Sequence, residues 1–279
     1  MHRNTGRDGI HTVKRRLISA EHFQIDQSLV CRISECEEMI QDMESGKQLA
    51  TRLRAWAGSA ECAQLRPSLY HRLSERMQDQ HNDLAVIESA EHRLYDIYEE
   101  WLNANSLKLA DASHAMGLEN GDIDRLGAAV TGPSGGLRRG PICIRSQDGL
   151  VTLPMPDWLA ARHRIEDIPR LVSTGALGTG IVSAVRTLVL VYNAHAFRDG
   201  NGRLGRSLMN YCLHRSGMPR SIFLPLKMMY CLSRGGFELS LREAELFGRW
   251  SPVVAYHCQI VSLLHHVSRS APRERTQVV

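Results

Sequence analysis

Lysine is nearly missing from this chain. Of 34 basic residues in 279, four are lysine. The arginine bias points to a GC-rich, bacterial genome and carries no mechanism of its own. Aromatic residues are sparse at 6%. Net charge is only +4 and no dense basic stripe is interleaved with aromatics, which argues against a nucleic-acid partner. The seven cysteines, at 31, 36, 62, 143, 212, 231 and 258, form no C-x-x-C pair and no metal-ligand cluster. Reduced thiols in a cytosol are therefore expected rather than a disulfide framework. No apolar run reaches the ~20 residues of a membrane span. The opening residues Met1 to Arg7 are polar and lack the apolar core of a signal peptide. No internal repeat is present.

What is there is the composition of a helix-rich globule, 43% apolar and long enough for one large or two small domains. Thirteen histidines invite a metal reading. His92, His257, His265 and His266 lie in expected helices without a convincing ligand cluster, so surface or packed histidines are expected.

The segment from His195 to Arg206 concentrates chemistry: His195-Ala196-Phe197-Arg198-Asp199-Gly200-Asn201-Gly202-Arg203-Leu204-Gly205-Arg206. Before it, Ile181, Val185, Leu188, Val189 and Tyr192 recur at helical spacing, which predicts a helix from about 180 to 197. After it, a second helix is predicted over 202–215, with Gly217 and Pro219 as the stop. Residues 199–202 then form a tight loop feeding a helix N-terminus, where unpaired backbone N–H groups favour an anion. Glycines at 200 and 202 let successive N–H groups converge. Asp199 can hold Mg²⁺, with phosphates completing its octahedron. Arg203 and Arg206, three apart, can face the same phosphate end. His195 can take a proton from an incoming hydroxyl.

These residues, at this spacing, resemble the Fic family, whose pattern reads H-P-F-x-D/E-G-N-G-R-x-x-R. Only Ala196 departs, standing where proline is usual, and that side chain has no catalytic role. The resemblance implies an all-α, Fic-type helical core with a small β-hairpin flap. It also implies an adenylyltransferase that moves AMP from ATP to a Ser, Thr or Tyr hydroxyl of a target protein and releases pyrophosphate. His195 would be the general base. Asp199 would carry Mg²⁺ between the α- and β-phosphates of the ATP co-substrate. Gly200, Asn201 and Gly202 would line the anion hole, Arg203 would hold the β-phosphate and Arg206 the γ-phosphate. Phe197 would point into the core and fix the loop. The related Doc kinases carry lysine at the position of Gly202, so glycine favours AMP transfer over phosphorylation. Two alternatives stand beside this reading: a Fic-fold transferase using another nucleotide or phosphate donor, and a catalytically vestigial interaction module.

Upstream, Gly132-Pro133-Ser134-Gly135-Gly136-Leu137-Arg138-Arg139-Gly140 leads into two β-prone runs around Asp148-Gly149, which read as a hairpin. It is similar to the Fic flap, about 132–154, with Arg138, Ile142, Cys143 and Ile144 as target-docking candidates. An exposed hairpin edge can add a strand from a target peptide. Downstream, Tyr230-Cys231-Leu232 and the run Glu243 to Trp250 resemble the closing helices of the Fic core. Tyr230 lines the adenine pocket or is a core tyrosine; the sequence leaves both open.

The chain divides into a disordered basic tail (1–16), an N-terminal α-helical unit (17–105), the Fic-like core (106–268) and a flexible tail (269–279). Within the N-terminal unit the expected helices run from Ala20 to Met43, from Gln48 to Ala57, and from Pro67 to Ala104. The last has an apolar stripe at Leu69, Leu73, Met77, Leu84, Ile87, Leu94, Ile97 and Trp101. Many Fic proteins carry an inhibitory helix with a Ser/Thr-x-x-x-Glu-Gly/Asn pattern, whose glutamate pairs with the arginine equivalent to Arg206. Glu88 keeps the Ile-Glu pair and Glu119 keeps the Glu-Asn pair, but neither has the leading hydroxyl. Both read as ordinary helical or capping glutamates, which leaves an uninhibited enzyme or one held by a separate inhibitor protein. The protein is expected in a bacterial cytoplasm, or delivered into a host cell as an effector or toxin.

Overall fold

The computed structural model describes residues 11–12, 17–19, 23–43, 45–69, 83–104, 118–119, 121–132, 135–145, 151–233 and 235–270. Among these the chain is built almost entirely of helices: α1 (Leu29–Gln41), α2 (Gly46–Ala57), α3 (Ala60–Leu69), α4 (Leu84–Ala104), α5 (Asp122–Thr131), α6 (Trp158–Ser173), α7 (Gly180–Ala194), α8 (Asn201–Arg215), α9 (Leu226–Leu232), α10 (Gly236–Phe247) and α11 (Ser251–Ser270). No described helix is long and apolar enough to cross a membrane. Three short strands, β1 (His11–Thr12), β2 (Cys143–Arg145) and β3 (Val151–Pro154), form one sheet in the order β1-β3-β2.

Helix α7 is the axis of the fold. Ile181, Ala184, Val185, Leu188, Val189 and Val191 are all buried, because apolar side chains recur all round this helix rather than on one stripe. It packs antiparallel to α8 through the short active loop, and α6, α1 and α11 cover its remaining sides. The buried apolar cluster runs continuously from Ile18 to Val267, so the early helices α1, α2 and α4 share one core with the later ones. Within α4 the predicted stripe faces the core: Ile87, Leu94 and Trp101 are buried, and the helix packs against α2, α5, α9 and α8.

Several boundaries differ from the sequence reading. The first helix starts at Leu29; Ala20 lies outside the described residues, and the described residues before the helix are pinned to distant parts of the chain. Ile18 N–H donates to Asn193 Oδ1 (2.9 Å), Asp26 N–H donates to Ser251 Oγ (2.9 Å), and Phe23 packs edge-on against Trp250 with the Arg186 guanidinium 4.1 Å from its centroid. Pro67 does not open a helix; it falls in the last turn of α3. That helix starts where Ser59 Oγ accepts from Cys62 N–H (3.1 Å), an N-cap the sequence reading passed over. The stretch 70–82, with Leu73 and Met77, lies outside the described residues, as do 106–117 and 271–279. In the expected N-terminal tail, His11 and Thr12 are a strand, paired in parallel with Val151 and Thr152.

Candidate active site

The expected hairpin forms in register, with Cys143 opposite Pro154, Ile144 opposite Leu153 and Arg145 opposite Thr152. Its Asp148-Gly149 turn lies outside the described residues. The segment before it is stitched to the active loop. Leu137 bridges Phe197, Arg138 N–H donates to Ala196 O (2.9 Å) and Arg198 N–H donates to Gly136 O (3.2 Å). This pairing explains why α7 ends at Ala194 instead of reaching Phe197. Residues 196–198 are drawn into an extended bridge, which a helix cannot make.

Arg138 is not a docking group. It is 2% exposed, and its guanidinium donates to His195 O (2.8 Å), Pro156 O (2.6 Å), Gly140 O (3.2 Å) and Ala194 O (3.4 Å). It thus satisfies carbonyls at the end of α7 that have no helical partner and braces the loop from behind. Ile142 is half-buried, with its carbonyl accepting from Met155 N–H, while Cys143 is exposed on β2.

His195 caps α7 in the left-handed region (φ 47°, ψ 49°), alone among described non-glycine residues in having positive φ. A β-carbon makes that conformation costly, so the surrounding bridge and Arg138 must hold it. Phe197 is buried, its ring lying so close to α5 that a Cβ on Gly127 would stand 2.4 Å from it. Asn201 does more than line the start of the helix. Its buried side-chain amide accepts from Phe197 N–H (2.9 Å) and donates to Phe197 O (2.8 Å), so it locks the loop while only its backbone remains at the helix start.

Gly200 caps α8 with φ 77°, and a Cβ there would strike Thr131 at 2.1 Å. Only glycine meets both demands. Leu204 N–H bonds back to Gly200 O (2.9 Å), and no side chain caps the N-terminus, so the first-turn N–H groups are presented to an anion. Asp199 stands on the rim, its side chain 68% exposed. One carboxylate oxygen accepts from Gly200 N–H (2.6 Å) and the other from Arg203 (2.7 Å). Among the described residues no three His, Cys, Asp or Glu side chains gather to hold a metal. One carboxylate beside an anion cradle nevertheless suits Mg²⁺, which takes one or two carboxylates and leaves other positions to phosphates and water.

Arg206 turns inward instead of toward the rim. Its Nη2 lies 3.2 Å from Glu91 Oε1, and both side chains are nearly inaccessible. Its Nε is buried without a partner. Burial pushes the Glu91 carboxyl up, while Arg206 and the Lys227 backbone N–H pull it back. Burial opposes the charge of Arg206, but Glu91 and Tyr192 hold its pKa above the ordinary arginine value. Neither glutamate weighed from the sequence reaches Arg206. Glu88 pairs with Arg54 (3.0 Å) and accepts from Thr51 Oγ1 (2.6 Å); Glu119 is exposed, its N–H donating to Asp122 Oδ2. Glu91 lies one turn beyond Glu88. The local pattern hid it, because Ile87 stands where the leading hydroxyl would be and His92 where Gly or Asn would follow.

Tyr230 resolves to a core tyrosine. It stacks on Phe237 (centroids 4.1 Å apart), and its hydroxyl meets His257 Nε2 at 3.0 Å. His257 Nδ1 donates to Val253 O (2.8 Å), so Nε2 accepts from the phenol, and burial lowers the His257 pKa to about 4.

No protein-family model matches this sequence, and no curated protein matches it. Among solved structures, the chain is similar to a Fic family protein from Desulfovibrio desulfuricans G20, with 16% identity, a TM-score of 0.53, and 89% of this chain and 75% of that one covered. It is also similar to Fic-1 from C. elegans, with 18% identity, a TM-score of 0.51, and 86% and 71% covered. At such identities the likeness is one of fold.

Proposed function

We propose that this chain, which has the Fic fold, transfers AMP from Mg·ATP to a Ser, Thr or Tyr hydroxyl of a target protein. The feature that supports the reading is the short loop that joins His195, at the left-handed end of α7, to the uncapped N-terminus of α8. In this reading His195 takes the acceptor proton as the hydroxyl oxygen bonds to the α-phosphorus. The bond from that phosphorus to the bridging oxygen breaks, and pyrophosphate leaves with the electron pair. Backbone N–H groups at 201–203 and the Arg203 guanidinium hold the phosphates. Asp199 would hold Mg²⁺, which would supply neutralisation of the charge that develops on the phosphates.

Glu91 is the brake in this reading. While it pairs with Arg206, the arginine is not offered to the terminal phosphate. A pair so deeply buried gains little net stability, because desolvation offsets the Coulomb attraction. Its presence is better accounted for by control than by folding.

The test is incubation of the chain and its Glu91→Ala variant with a proteome extract and ATP labelled on the α- or the γ-phosphate. Protein label from the α position alone is expected. Label from γ alone would replace AMP transfer with phosphorylation. Failure to bind Mg·ATP at all in calorimetry would leave a vestigial core.

A further inference from the structure

Tyr192, in the last turn of α7, faces the first turn of α8. Its hydroxyl accepts a hydrogen bond from Arg206, and burial keeps it protonated. Its own proton has only a long contact, 3.5 Å, to Gly202 O. A Cβ on Gly202 would stand 2.9 Å from this hydroxyl and 3.4 Å from the ring carbon bearing it, and a Cβ on Gly205 would stand 2.9 Å from the ring. Phe237 backs the ring edge-on at 5.0 Å, so the tyrosine cannot retreat from α8. The phenol therefore occupies the same space as the Arg206 guanidinium and the helix N-terminus.

We infer that Tyr192 is a donor-selecting residue of the nucleotide site, a neutral hydrogen-bond donor to the terminal phosphate whose hydroxyl also enforces glycine at 202. The inference rests on the nucleotide reading above. Once Glu91 leaves Arg206, a phosphate oxygen at that guanidinium is a far better acceptor for the phenol proton than the distant Gly202 carbonyl. The phenol then accepts from Arg206 and donates to phosphate, which fixes the guanidinium as well as the ligand. The hydroxyl leaves no room for a side chain at 202, such as the lysine of the Doc kinases. This chain's preference among donors is thus set partly from α7, outside the glycine loop.

The test is calorimetry of Mg·ATP and Mg·ADP on Tyr192→Phe in a Glu91→Ala background, with Glu91→Gln as the second background should the first prove unstable. Loss of one hydrogen bond to a charged group predicts roughly tenfold weaker ATP binding, with ADP within about twofold of the parent. Unchanged ATP affinity, or equal losses for both nucleotides, overturns the inference; the latter would mean that Tyr192 only supports the fold. Gly202→Ala should weaken ATP binding less when combined with Tyr192→Phe than when Tyr192 is intact, and additive effects would likewise count against it. If the parent background binds neither nucleotide, the nucleotide reading itself has failed, and that result is distinguishable because it precedes any change at Tyr192.

Discussion

The active loop and helix α4 converge on Arg206 by different physical means. The loop works through backbone. His195 and Gly200 take positive φ, Asn201 closes the turn on Phe197, and Arg138 ties down the carbonyls at the end of α7. Helix α4 is regular throughout and contributes single side chains. Glu91 meets Arg206 near the start of α8, and Tyr98 meets His214 Nδ1 at 2.8 Å near its end. A site fixed by backbone tolerates little change. A site occupied by one carboxylate on a regular helix can be vacated by one substitution, or by a small displacement of that helix. In the proposed reading, catalytic geometry therefore belongs to the loop and its control to α4.

The sharpest way to break that division is His195→Ala. Loss of the general base should lower transfer by about a hundred- to ten-thousand-fold while Mg·ATP binding persists in calorimetry, because the imidazole acts on the acceptor hydroxyl and not on the nucleotide. Near-normal transfer by this variant would remove the loop from the chemistry.

Acid should act next, and on the α4 side. Burial lowers the pKa of His214 to about 4, and its Nε2 donates to Ile222 O (2.6 Å) while Nδ1 accepts from Tyr98. The unfolded chain, with histidine near its ordinary 6.5, binds more protons between pH 6.5 and about 4. Stability from this group is then flat above 6.5, falls as pH drops through that window by at most about 3 kcal/mol, and changes no further below it. His257 behaves alike at the α9–α11 contact. Urea unfolding across this range should show the slope, and His214→Gln should remove about half of it. A slope unaltered by that substitution would mean that α4 is not held at its far end by a neutral histidine.

The smallest effect sharpens the comparison most. Glu91→Ala should raise transfer about tenfold or more, equivalent to about 1.4 kcal/mol, whereas Glu88→Gln and Glu119→Gly should stay within about threefold of wild type. Initial rates of self-modification would read all three. A rise in the Glu88 variant alone would mean that the Arg54 and Thr51 contacts, not the Arg206 pair, hold the brake.

The twelve residues from His195 to Arg206 made the loop legible, because phosphate binding at a helix start needs its glycines, acid and arginines within a few bonds of one another. The helices on either side were legible from periodicity to within a few residues, and the flap from its β-prone runs. Three things were not. The attachment of the described residues before α1 depends on Asn193, Ser251 and Trp250, all distant along the chain. The role of Arg138 depends on which carbonyls the end of α7 leaves unpaired. Glu91 could not be told from Glu88, since both lie on one helix with similar neighbours. A carboxylate's role is set by whichever cation packing brings to it, and here that was Arg206 for one and Arg54 for the other. Sequence by itself determined the helical class and the local chemistry of the loop, because periodicity and short-range motifs act over a turn or two. Only the tertiary structure decided which glutamate and which tyrosine share the site with Arg206, because pairing across helices depends on how α4, α7 and α8 dock.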